Sequence, residues 1–189
     1  PISDYIYSCK NLAELPGKKF SKKRNHINQF VRKYGEIDFR PLNERNLDLA
    51  FSVEERWLSE AEQMEKSGAG SEAGDLQVEK EIIKSALENF KSLAIACSMT
   101  GGILFVCSEP AAFCIASSIS RNVVDVHFEK CLSPFAKDGG YAVINNQFSK
   151  SVRAQYINRE EDLGLEGLRK AKLSYYPDII LQKYNVLAE

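Results

Sequence analysis

The chain has 189 residues, 44% of them hydrophobic, which is enough for one sizeable core in a single domain. Its 25 basic and 26 acidic residues leave a net charge of −1, so no whole-molecule field gathers nucleic acid or anionic lipid, and any such attraction must be local. No stretch approaches the ~20 apolar residues a membrane-spanning helix needs, and five cysteines without Cys-x-x-Cys spacing (Cys9, Cys97, Cys107, Cys114, Cys131) speak for reduced thiols in a cytoplasmic protein and against a metal site.

Residues 1–36 stand apart. Between Lys18 and Tyr34 lie seven basic side chains (Lys18, Lys19, Lys22, Lys23, Arg24, Arg32, Lys33) and no acidic one, while Phe20, Ile27, Phe30, Val31 and Tyr34 recur near helical spacing. This predicts a basic amphipathic helical segment ahead of a domain over 37–189. The chain opens on Pro1, which suggests a piece of something longer.

From Ile37 a short strand runs to Arg40, followed by a helix over Asn46 to Gln63 with Leu47, Ala50, Val53, Trp57 and Leu58 on one face. Ser67 to Gly74 is small and polar and predicts a mobile loop; Leu76 to Phe90 returns to helix. Two strands, Ile103 to Cys107 and Ala112 to Ser118, flank a Ser108-Glu109-Pro110 turn that favours an antiparallel hairpin. A third strand, Val123 to Cys131, alternates so as to put Asp125, His127 and Glu129 on one face. After Asp138-Gly139-Gly140 a helix over Tyr141 to Val152 would be capped by Asp138. Gln155 to Arg159 reads as a strand, Leu165 to Ser174 as a helix and Ile179 to Tyr184 as the last strand.

The run Val126-His127-Phe128-Glu129-Lys130, the run Tyr156-Ile157-Asn158-Arg159-Glu160-Glu161-Asp162-Leu163-Gly164, and Glu166-Gly167-Leu168-Arg169-Lys170-Ala171-Lys172 resemble the phosphatidylglycerol lysyltransferase C-terminal domain family. Gly17-Lys18-Lys19 and Lys23-Arg24-Asn25-His26-Ile27-Asn28 do so too. The resemblance is closest to a branch without transmembrane regions. It implies a GNAT-type N-acyltransferase fold of the α/β (α+β) class, a mixed, mostly antiparallel sheet flanked by helices. It also implies a tandem of two such halves, of which this chain is the second, with 1–36 as the linker from the first. The activity implied is transfer of an activated acyl or aminoacyl group, from acyl-coenzyme A or aminoacyl-tRNA, to an amine or hydroxyl. The alternative is a non-catalytic module that keeps the fold and binds RNA or an acidic partner.

Four places could carry chemistry. Exposed N–H groups and a helix dipole attract anions, and Lys137-Asp138-Gly139-Gly140-Tyr141-Ala142 fits the family's phosphate-holding turn as Lys-x-x-Gly-x-Ala. That makes Lys137, Gly139, Gly140 and Tyr141 candidates for donor binding; the alternative is an Asp-capped helix after a Gly-Gly turn. A histidine beside a carboxylate can deprotonate an amine, so His127 and Glu129, with Asn158, are the catalytic candidates; otherwise this is the wetted face of a sheet. Tyr156, Arg159, Glu160 and Asn145 are candidates for substrate binding, unless Glu160 and Asp162 serve ion pairs with Arg169 or Lys170. Lys18, Lys19, Lys22, Lys23 and Arg24 could meet RNA phosphates, for which tRNA is the rationale, or else remain a solvated face turned to the acidic remainder.

Overall fold

The computed structural model describes residues 2–66 and 73–184. Its order is β1 (Ile2–Ser8), α1 (Cys9–Glu14), α2 (Ser21–Tyr34), β2 (Ile37–Pro41), α3 (Leu47–Lys66), α4 (Ala73–Glu88), α5 (Phe90–Cys97), β3 (Thr100–Val106), β4 (Glu109–Ser118), β5 (Val123–Cys131), α6 (Ser133–Lys137), α7 (Gly140–Ser151), β6 (Tyr156–Asn158), α8 (Glu166–Leu173) and β7 (Ile179–Lys183). The strands form one sheet in the order β2-β3-β4-β5-β6-β1-β7, antiparallel at every pairing except β5 with β6. This is the mixed, mostly antiparallel sheet flanked by helices that the sequence predicts.

One face carries α1, α2 and α7. Tyr5 and Tyr7 of β1, Leu12, Phe30, Val143, Ile144 and Phe148 pack there against Leu104, Cys114, Val124 and Val126. On the other face α3, α4 and α5 set Ala50, Val53, Ile83, Leu87 and Phe90 against Ile103, Phe105, Phe113 and Ile115. Each large side chain so buried contributes roughly 1.5–3 kcal/mol. Helix α5 and the short α6 were not anticipated, because apolar Leu93 to Cys97 lacks a helical stripe. Of the polar stretch Ser67 to Gly74, residues 67–72 lie outside the described residues, and Ala73 and Gly74 begin α4.

The segment read as only a basic helix also supplies a strand. β1 lies inside the sheet, pairing with β6 through Ile6–Asn158 and with β7 through Asp4–Leu181. Its alternation sends Tyr5 and Tyr7 into the core while Asp4 faces the other way, and Ser8 accepts from the N–H of Asn11 to start α1. Three polar residues among seven hid the strand. The basic helix itself begins at Ser21, with Phe20 and Phe30 fully buried.

Candidate functional site

The parallel pairing of β5 with β6 lasts three residues, from Val123–Tyr156 to Asp125–Asn158. Beyond it β5 continues to Cys131, whereas the chain after β6 stays with β1 through the N–H of Arg159 to the carbonyl of Tyr5 (3.0 Å) and the N–H of Tyr5 to the carbonyl of Glu160 (3.2 Å). The sheet therefore opens between β5 and the 159–160 segment. A β-bulge falls at this opening: Ile115 pairs with Phe128 and Ala116 with Val126, so His127 is the extra residue. A bulge re-aims side chains, and here it corrects the expected single row. Val124, Val126 and Cys131 belong to the α7 face, while Phe128 packs on the α3 face. His127 and Glu129 thus point to opposite sides of the sheet, with Glu129 beside Asn145 and Arg159.

On the first side, His127 is held at both ring nitrogens. Its Nε2 lies 2.7 Å from Ser117 Oγ and its Nδ1 lies 2.9 Å from Glu160 Oε1. The Glu160 hydrogen bond, with the charge of Asp125, raises its pKa above 6.5 against the opposing cost of burial. Burial and the Glu160 charge push Asp125 up to about 6, and its Oδ1 is shielded without a hydrogen-bond partner. Asn158 does not face a reacting group: its amide donates to Asp4 (3.0 Å) and its oxygen accepts from the N–H of Glu160 (3.0 Å), so it positions Glu160. Glu160 itself sits at φ 53°, a backbone state costly for a residue with a side chain and characteristic of functional sites. Tyr156 lies at the closed start of β6, away from the opening. Asp125, His127 and Glu160 offer ligand atoms all within 4.8 Å of one another, so this group could also hold a metal ion, which the sequence gave no reason to expect.

On the second side, the Arg159 guanidinium meets Glu129 at 3.0 Å with side chains only 16% and 9% exposed. Burial raises the pKa of Glu129, and Arg159 and the Asn145 amide oppose that rise. Asn145 is 1% exposed and its Oδ1 has no partner. Tyr7 and Tyr175 close the cluster edge to face, 6.3 Å apart. The cation of Lys172 donates to the carbonyls of Arg159, Glu160 (3.1 Å) and Glu161 (2.6 Å), tying down the loop that leaves β6. Asp162 pairs with Arg169 at 2.6 Å and accepts from Tyr5, as the ion-pair alternative for this acidic run anticipates. Sequence reading missed Ser117, Asp4, Tyr7, Tyr175 and Lys172. Only the density of cations from Arg169 to Lys172 hinted at the last.

The turn before α7 differs from the expectation. Asp138 does not cap the helix; Gly139 does, in a left-handed conformation. The Asp138 carboxylate is taken instead by Lys33 (2.5 Å) and Tyr34 (2.6 Å) of α2. A Cβ on Gly140 would lie 2.6 Å from Cys131 Sγ and 2.9 Å from the Phe135 carbonyl, so this glycine serves close packing. A cavity of about 320 Å³ is lined by His26, Gln29, Lys33, Lys137, Asp138 and Gly139, whereas Tyr141 stands at the surface outside it. With an acid at its mouth and α2 across it, this turn does not fit the pyrophosphate of coenzyme A.

The basic cluster also divides. Lys18, Lys19 and Lys22 are exposed. Lys23 and Arg24, placed with them from sequence, turn inward: Arg24 donates to the carbonyls of Leu15 and Gly17, and Lys23 lies over the Tyr175 ring. Among the described residues no helix is long and apolar enough to cross a membrane, and all five cysteines are free.

Comparison with known proteins places this arrangement. A conserved protein of unknown function from Bacteroides thetaiotaomicron is 40% identical, with a TM-score of 0.79 over 95% of this chain and 57% of its own. The C-terminal domain of a proposed lysylphosphatidylglycerol synthetase from Agrobacterium fabrum shares 12% identity at a TM-score of 0.59, over 95% of this chain and 57% of its own. An uncharacterised protein of Mycoplasmoides gallisepticum is 26% identical over 97% of this chain and 56% of its own length, so the chain spans little more than half of these relatives. The family model described as phosphatidylglycerol lysyltransferase, C-terminal, matches residues 2–187, and the chain belongs to that family.

Proposed function

We propose that this chain carries out GNAT-type acyl or aminoacyl transfer at the opening between β5 and β6, with His127 accepting the proton of the attacking amine or hydroxyl. The observation that supports this most is the doubly held imidazole at the bulge, 29% exposed, with Glu160 on Nδ1 and Ser117 on Nε2. An acceptor that displaces the Ser117 hydroxyl meets a basic nitrogen, and Glu160 stabilises the imidazolium once the proton arrives. The acceptor's nitrogen or oxygen bonds to the donor's carbonyl carbon, the donor's alcohol or thiol departs with a proton, and backbone N–H groups loosened by the bulge stabilise the oxyanion between the two events. Glu129 and Asn158 position this machinery through Arg159 and Glu160.

Aminoacyl-tRNA fits better than acyl-coenzyme A as donor, because the α7 turn is occupied by packing while Lys18, Lys19 and Lys22 stand free to meet phosphates. A cytoplasmic setting suits such a donor, and the rest of the longer protein would supply the other half of the tandem. The test is transfer from labelled aminoacyl-tRNA, and separately from acetyl-coenzyme A, by the full-length protein. Transfer from the first, reduced ~10²- to 10⁴-fold by His127→Asn, is the expected result. Full activity in that variant refutes the assignment. Steep, salt-sensitive RNA binding with no transfer from either donor would favour the non-catalytic module instead.

A further inference from the structure

The charges on the α7 side of the opening do not balance. Lys23 projects from the inner face of α2 with its Nζ 3.8 Å from the centre of the Tyr175 ring, and the Arg159 guanidinium carbon lies 5.3 Å from the same ring. Tyr175 is 6% exposed. Two cations therefore share one largely dehydrated aromatic side chain. Across from them stands a single carboxylate, Glu129, which already accepts from Arg159 Nη2. The third cation, Lys172, is turned away to the three carbonyls of 159–161. Tyr7, Tyr175 and Cys114, the other titratable groups facing the cluster, are kept neutral by burial.

The protein thus holds one positive charge in excess where water is scarce, and like charges so placed oppose each other. The ring face attracts each cation, but that attraction is modest beside an uncompensated charge. Lys23 accordingly has its pKa lowered to about 8 by burial and by Arg159. A second mark of incompleteness is Asn145, 1% exposed, whose Oδ1 accepts from nothing. A buried amide oxygen without a donor is uncommon and calls for a partner.

We infer that Lys23 and Arg159, over Tyr175 and beside Asn145, form a binding site for the phosphate group of a hydroxyl-bearing ligand. A phosphate oxyanion would neutralise the excess charge and engage the ammonium of Lys23 together with the guanidinium donors of Arg159 that Glu129 leaves free. A hydroxyl next to that phosphate would satisfy Asn145 Oδ1. Lys23 and Arg159 both keep partial exposure, so the group can enter from outside. This site lies on the opposite side of the sheet from His127 and is independent of whether acyl transfer occurs there.

The test uses the full-length protein and inorganic phosphate, read by thermal shift against sodium chloride of equal ionic strength. A ligand bound only by the folded state raises the unfolding temperature. The expected result is a rise with phosphate in the wild type that is lost in Lys23→Met and in Lys23→Gln, with an apparent Kd at least ~10-fold weaker. Without phosphate these variants should unfold no earlier than the wild type, because they remove a like charge. Lys22→Gln, on the exposed face of the same helix, should keep the full phosphate shift. The inference is overturned by no phosphate shift in the wild type, by a shift that survives in both Lys23 variants, or by a shift lost equally in Lys22→Gln.

Discussion

Replacing Arg159 by methionine should unfold the protein more readily by several kcal/mol, and the size of the loss follows from the cluster itself. The ion pair spans 3.0 Å, with the carboxylate 9% and the guanidinium 16% exposed. At an effective dielectric near 20, two charges at that spacing attract by roughly 5 kcal/mol. Methionine keeps the stem but leaves Glu129 charged, buried and supported only by Asn145, a change that costs ~3–5 kcal/mol when one partner of a buried pair is removed. For a chain of this length each kcal/mol moves the midpoint by ~2–4 °C, so the variant should melt ~6–20 °C lower. The loss should depend on pH. Without Arg159 the Glu129 carboxyl is held further above its ordinary range, so the folded variant binds a proton that the unfolded chain has released. Its stability is then greatest below the unfolded value and falls as pH rises through the raised one, which shrinks the deficit towards pH 5. Adding Glu129→Gln should recover most of the loss, because the orphaned charge is gone. Urea unfolding of the wild type, both single variants and the double variant closes the cycle. A double variant as unstable as Arg159→Met, or a single loss under ~1 kcal/mol, would refute the view that this pair is a coupled buried unit.

Other consequences can be checked in the same way. Glu54 is 5% exposed, one of its oxygens is unpartnered, and burial pushes it up to about 7. Its pKa is raised on folding, so the protein should lose stability as pH climbs from 4.5 through 7. Glu54→Gln should flatten that slope and add up to about 3 kcal/mol at pH 8, as shown by unfolding at several pH values. A Cβ at Gly101 would lie 2.2 Å from the Cys114 carbonyl oxygen, which is backbone in the adjacent strand. Gly101→Ala should therefore cost ~1–3 kcal/mol of stability by forcing β3 and β4 apart, and an unchanged midpoint would argue against that packing.

Most of the sheet was legible because burial imposes alternation on each strand. β5 is the clearest case: the pattern of Val124, Val126 and their polar neighbours gave its ends correctly. The same pattern could not disclose the bulge, which depends on how β4 and β5 register in space, and so His127 and Glu129 were assigned one face instead of two. β1 escaped notice because Ser3, Asp4 and Ser8 dilute its apolar signal; its place is fixed by β6 and β7, which arrive about 150 residues later. The basic helix shows a related limit. Composition counted Lys23 and Arg24 with their neighbours, yet helical rotation turns these two inward to Tyr175 and to the carbonyls of Leu15 and Gly17. At the Asp138-Gly139-Gly140 turn the residue types were right for an anion, and only the packing of α2 shows that Lys33 and Tyr34 already occupy the aspartate.

The most direct test of the proposed chemistry is the pH dependence of transfer by the full-length protein and by Glu160→Gln. The Glu160 hydrogen bond raises the pKa of His127, and the neutral imidazole is the form that accepts a proton. Wild-type rates should rise with pH through a value above 6.5, and the glutamine variant should show the same rise displaced to lower pH. A profile without this inflection, or one that Glu160→Gln leaves in place, would contradict His127 as the proton acceptor.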